Sequence, residues 1–105
     1  MIASENKSSK IKTLMDNSAE ILCMLFNLND IRGGRKLEKI YARKIFMKYY
    51  TEKKVSQSEI GRYLNLNHST VNYHLGKYED EYDTNPYFKE KVKMFMNLIT
   101  INGAC

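Results

Sequence analysis

Asn67, His68, Ser69 and Thr70 are four short side chains in a row that each donate or accept hydrogen bonds, and Asn72 and Tyr73 follow within a turn. None of the six carries a fixed charge. Groups of this kind match base-pair edges. An Asn amide can bond adenine in bidentate fashion, and Thr offers thymine its methyl and a neighbour its hydroxyl. The same string before an apolar residue is also an ordinary helix N-cap, so its chemistry depends on how it is positioned.

The flanking residues supply that positioning. Ser56-Gln57-Ser58-Glu59 reads as a capping box that opens a short helix, with Ile60, Tyr63 and Leu64 able to point inward. Asn65-Leu66-Asn67 is the turn. Asn67 then caps a second helix whose inward stripe is Val71, Leu75, Tyr78 and Tyr82. Residues 56–82 therefore read as a helix-turn-helix, the unit that sets its second helix in a DNA major groove about 12 Å wide. The amides around Ser56 and Gln57, and those at the start of the second helix, suit phosphate. Gly61 lies inside the first helix, where Gly costs ~1 kcal/mol relative to Ala, and close approach of the second helix is the expected reason.

Outside this unit the chain reads as helix and short connection. Residues 1–10 are expected to be a flexible polar tail; Met1 favours a native start, and a fragment excised from a larger protein is left open. A first helix spans 11–26, where Leu14, Ile21, Leu22, Leu25 and Phe26 recur at helical spacing. Arg32-Gly33-Gly34-Arg35 is a flexible basic loop. The next helix spans 36–53, with Leu37, Ile40, Tyr41, Ile45 and Tyr49 as its apolar stripe and Lys36, Lys39 and Arg43 on another face. Pro86 fits the first turn of a last helix capped by Thr84 or Asn85, which buries Phe88, Val92, Phe95, Met96 and Ile99 and stops at Asn102-Gly103. No alternating strand pattern occurs. The expected fold is all-α: a compact bundle of about five helices with a helix-turn-helix, residues 11–105 forming a single domain.

Charge narrows the partner. The chain has 17 Lys+Arg against 12 Asp+Glu, a net +5. From Arg32 to Lys54 there are nine basic residues and two acidic ones, while Glu79 to Asp83 holds four carboxylates. That arrangement predicts a polarised surface whose positive side meets phosphate. His68 is expected to face DNA and His74 to sit at the surface or rim. Six residues apart on one helix, they share no face, and no closely spaced Cys pair exists, so neither a metal nor a cofactor is expected. There is no phosphate-binding Gly-rich loop, nucleophile elbow or paired-acid arrangement, so no enzymatic activity is expected. Cys23 reads as a small buried hydrophobe and Cys105 ends the chain, which fits a reducing cytoplasm. No apolar run approaches the ~20 residues of a membrane span, and no signal-peptide core opens the chain.

Ala42-Arg43-Lys44-Ile45-Phe46-Met47, then Glu59-Ile60-Gly61, then His68-Ser69-Thr70-Val71, resemble the C-terminal DNA-binding domain of the bacterial replication initiator DnaA. Order and approximate spacing agree over about residues 11–100. The resemblance implies a Trp-repressor-like helical domain that binds duplex DNA, with Asn67, His68, Ser69 and Thr70 reading bases. It also implies that a basic residue of the loop enters the minor groove: Arg35, with Arg32 or Lys36 as alternatives because the glycines blur the alignment. Arg43 and Lys44 would contact or face phosphate. Leu64-Asn65-Leu66-Asn67 departs from the family's Gly-Gly-Arg-Asp, and the turn is one residue shorter. An Asp accepts from cytosine where Asn prefers adenine, so the likeness does not carry over to the target sequence. The family's nucleotide-driven motor is absent from this chain.

The expected partner is double-stranded DNA, with no membrane; a homodimer or a replication or transcription protein is left open. Two alternatives stand beside this reading. Gln57-x-Glu59-Ile60-Gly61 followed by Ser69-Thr70-Val71-x-x-His74-Leu75 also fits helix-turn-helix transcriptional regulators. A helical protein–protein adaptor would use Tyr49, Tyr50, Tyr73 and Tyr87 as exposed anchors.

Overall fold

Helical apolar stripes with short connections between them fold onto one core. The computed structural model describes the backbone of residues 2–103 and the side chains of residues 10–101. The described chain holds five helices and no strand: α1 (Ile2–Phe26), α2 (Leu37–Glu52), α3 (Gln57–Leu64), α4 (His68–Thr84) and α5 (Pro86–Gly103). The protein is an all-α bundle. Its radius of gyration is 13.5 Å, close to the ~13 Å of a close-packed chain of this length, so the helices form one body.

α2 is the central element. It packs against α1, α3 and α4, and every residue from Tyr41 to Met47 is buried, as befits a helix covered on nearly all sides. Phe46 anchors it, stacked on Tyr63 of α3 with ring centroids 5.1 Å apart and against Tyr50 at 4.9 Å. Leu22, Ile31, Ile60, Leu64, Val71, Phe88 and Phe95 are fully buried around it. Polar ties lock the layers. The Ser18 and Tyr50 hydroxyls meet at 2.6 Å between α1 and α2, and burial pushes the Tyr50 hydroxyl up to about 12. Where α1 ends, Lys91 of α5 donates to the Leu25 carbonyl.

The boundaries differ from expectation at one end. α1 begins at Ile2, so the polar tail expected over 1–10 is helix from Ile2 onward. Neither Gly nor Pro occurs between Ile2 and Phe26, and nothing there stops the helix. Three residues expected on inward stripes are exposed instead: Leu14, Leu37 and Met96. Leu37 is the first residue of α2, beyond the edge of the core. Met96 falls to one side of the line Phe88–Val92–Phe95–Ile99 that α5 turns inward. Of the two caps offered for α5, Asn85 is the one used, accepting the Phe88 amide at 3.2 Å.

Three helices end in the same way. Asn27, Lys54 and Asn65 take left-handed conformations with φ of 58°, 72° and 62°. The residue after each donates five positions back: Leu28 to Cys23, Val55 to Tyr50 and Leu66 to Gly61. This is the Schellman ending, which favours Gly and tolerates Asn. Lys54 is the misfit, because its Cβ opposes the left-handed turn. Lys54→Gly is therefore expected to stabilise the protein by about 1 kcal/mol, read in a thermal melt as a rise of roughly 4–8 °C. An unchanged or lower midpoint would show that the α2 end carries no such strain.

Candidate nucleic-acid interface

α3 starts where Ser56 accepts the Glu59 amide at 3.1 Å. The return bond of the capping box, from Ser56 N–H to the Glu59 carboxylate, is not among the described hydrogen bonds, and Glu59 is exposed. At the other end, Leu66 N–H donates to the Gly61 carbonyl at 2.7 Å and folds the Asn65–Asn67 turn back over α3. A Cβ on Gly61 would collide with the Leu66 carbonyl oxygen and would touch Val71 of α4 only at 3.4 Å. The crowding expected there is real, but its source is the turn backbone more than the second helix.

The polar string divides in two. Asn67 Oδ1 accepts both the Thr70 amide at 2.9 Å and the Thr70 hydroxyl at 3.0 Å. Those two expected base-readers are thus engaged with each other at the cap. His68, Ser69, Asn72 and Tyr73 are exposed, Tyr73 at 61 %. Gln57 Nε2 donates to Asn72 Oδ1 at 3.4 Å, which joins the start of α3 to the outer face of α4. Two further residues extend this face. Gly76 follows His68 and Asn72 at helical spacing with open space where a Cβ would stand, and Lys77 holds its ammonium 5.4 Å from the Tyr73 ring centre. Sequence reasoning missed both, although the i+4 step from Asn72 and Tyr73 reaches them.

His74, expected at the surface or rim, is half-buried, and its Nδ1 has no hydrogen-bond partner among the described residues. Burial and then the charges of Lys44 and Arg43 hold its pKa below the ordinary value, favouring the neutral ring.

Arg43 and Lys44 require correction. Both were expected to face phosphate, and both are buried. The Arg43 guanidinium donates to the carbonyls of Ile31, Gly33 and Gly34 at 2.7, 2.9 and 2.8 Å. Lys44 pairs with Glu81 of α4 at 3.1 Å. The cause is the central place of α2, which leaves these positions facing the loop and α4. The polarised surface is corrected on the same ground. Lys48 lies 3.2 Å from Glu79, so carboxylates of the acidic stretch neutralise part of the basic block across the α2–α4 contact.

Arg35 and Lys36 remain exposed and make no ion pair among the described residues, as do Lys53 and Lys54 beside Ser56 and Gln57. Arg32 is tied down, bonded to Asp30 and lying 5.2 Å over the Tyr63 ring. Of the four tyrosines offered as anchors for an adaptor, Tyr50 is buried and Tyr49 half-buried; Tyr73 and Tyr87 are exposed.

Cys23 is half-buried rather than buried, and burial raises its thiol pKa; Cys105 lies outside the described residues. Among the described residues no group of three or more His, Cys, Asp and Glu side chains gathers as a metal ion would need. No helix there is long and apolar enough to cross a membrane. No protein-family model, curated protein or solved structure matches the chain.

Proposed function

We propose that this protein binds duplex DNA sequence-specifically and without catalysis, using α3 and α4 as a helix-turn-helix. The observation that carries the reading is the outer face of α4. His68, Ser69, Asn72 and Tyr73 stand exposed there, just after a three-residue turn, while Val71 and Tyr78 on the opposite face are buried. Short uncharged donors and acceptors at a helix start are what a major groove can receive. His68, Ser69 and Asn72 read bases. Asn67 and Thr70 chiefly set the helix start, and Lys77 with Tyr73 follows the strand outward. Arg35, Lys36 and the amides near Ser56 and Gln57 hold the backbone. This division of labour keeps His68 and Ser69 in the role that the likeness to the initiator's DNA-binding domain implies, but it adds Asn72, gives Asn67 and Thr70 to the helix start, and removes Arg43 and Lys44 from the contacts. On that likeness the proposal extends to sites of the replication-origin kind.

Selection from a randomised duplex library at roughly 150 mM salt tests the reading, because weak non-specific binding is suppressed there. A defined motif should emerge. On it, His68→Ala and Asn72→Ala should each cost ~1–3 kcal/mol and relax the preferred sequence. Lys36→Ala should weaken cognate and random duplexes alike and reduce the salt slope by about one. An absence of enrichment, or equal losses on every sequence for all three variants, would overturn it.

A further inference from the structure

Arg43 is 6 % exposed, and its guanidinium meets backbone carbonyls where a carboxylate would be the usual partner. Burying a cation is costly unless its donors are satisfied, and desolvation lowers its pKa accordingly. What the bonds achieve is visible in the loop. Arg43 takes the carbonyls of Ile31, Gly33 and Gly34, and Lys39 takes that of Arg32 at 3.2 Å. Four consecutive carbonyls are thus turned toward the first two turns of α2. Gly33 and Gly34, with φ of +73° and +74°, would otherwise leave this stretch among the loosest in the chain. The loop delivers Arg35 and Lys36, both exposed, directly onto the start of α2. A lysine is not equivalent here, because Arg43 donates from two nitrogens of a planar fork, one to Ile31 and Gly33 and the other to Gly34, where an ammonium has a single nitrogen.

We infer that Arg43 is a positioning residue of the DNA interface, an inference that rests on the duplex-binding reading above. It holds the 31–34 loop in one conformation, so that Arg35 and Lys36 meet the duplex already ordered, and it does not touch the nucleic acid itself. Affinity is gained because less freedom is lost on binding.

The test is a double-mutant cycle on the library-selected duplex. Arg43→Met is made in the parent and in an Arg35→Ala/Lys36→Ala background, with a thermal melt of each protein. Arg43→Met should cost about tenfold in affinity in the parent, as expected for releasing two long side chains, and less than about twofold where those side chains are gone. Lys39→Met, at a half-buried site, is the milder second variant if Arg43→Met fails to fold; about threefold should likewise shrink toward none. Equal losses in both backgrounds would overturn the inference, since a direct phosphate contact or general damage to the fold acts independently of Arg35 and Lys36. Unchanged affinity in the parent would overturn it too. If the parent binds no duplex, the duplex-binding reading fails and the inference with it. If the parent binds but Arg35→Ala/Lys36→Ala costs nothing, the loop is not part of the interface and Arg43 positions nothing.

Discussion

Gly61→Ala is expected to lower the denaturant midpoint by an amount equivalent to about 3 kcal/mol, with the slope unchanged. The reason is local and severe. The added methyl would run into the carbonyl oxygen of Leu66, whose own amide is bonded to the Gly61 carbonyl at 2.7 Å. Backbone on both sides of the contact cannot swing away as a side chain could, so the loss lies at the upper end for overpacking. Relief would require opening the Asn65–Asn67 turn, and with it the seat of α4 against α3. Gly76→Ala supplies the control on the same pair of helices. Nothing lies within 4 Å of its added carbon, so helix propensity alone acts and a gain of up to ~1 kcal/mol is expected. Equal responses at the two glycines would refute the close-approach account.

The second large effect is expected at Glu81. One carboxylate oxygen accepts from Lys44 at 3.1 Å and the other from Asn85 at 2.9 Å. Asn85 also donates to the Tyr41 hydroxyl and accepts from the Phe88 amide, so this one carboxylate helps to join α2, α4 and α5. Glu81→Gln would leave the Lys44 side chain, 9 % exposed, without its counter-charge. Breaking one side of such a pair costs about 3 kcal/mol, the lower end of the range because Glu81 is itself a quarter exposed.

The pH dependence carries a definite sign. The Asn85 hydrogen bond, then that of Lys44 and its charge, hold Glu81 below its ordinary value of 4.5. A depressed carboxylate contributes in full above the unfolded value and loses its contribution as pH falls through the lower folded one. Asp16, held down mainly by the Tyr63 hydroxyl, and Asp30, held down mainly by the Arg32 amide, act in the same direction from 3.8 downward. Stability should therefore decline as pH drops below about 4.5. The gap between parent and Glu81→Gln, measured by denaturant titration at neutral and acid pH, should narrow over the same window. A gap constant down to pH 3 would show that the ion pair does not contribute.

The helices that frame the site were legible because their ends are marked by residue type. Ser56 and Asn67 announce the starts of α3 and α4, and Asn65 the left-handed residue between them. Their inward stripes, Ile60–Leu64 and Val71–Tyr78, were legible from spacing. The α1 start was not, since a polar stretch without a breaker reads equally as tail or helix. The α2 ending was placed within a residue, but its left-handed turn was not, because Lys54 occupies a place where Gly or Asn is the usual sign. Arg43 and Lys44 were misplaced for a different reason. One-dimensional reading assigns cations to the surface, and their burial follows from α2 having neighbours on three sides, which only the packing reveals. The mutual engagement of Asn67 and Thr70 was half visible: the cap was expected, but not that Thr70 would give its hydroxyl to the same oxygen.

Arg43 and Lys44 are neighbours in sequence, yet one grips the 31–34 loop and the other grips α4. In mechanical terms α2 is the beam of a caliper, with the loop as one jaw and α4 as the other. Neither jaw can slide without breaking its bond to the beam. A duplex read by both would thus be measured at one fixed span. Inserting a single base pair between the two contacts, about 3.4 Å of rise, would force the protein to release one of them.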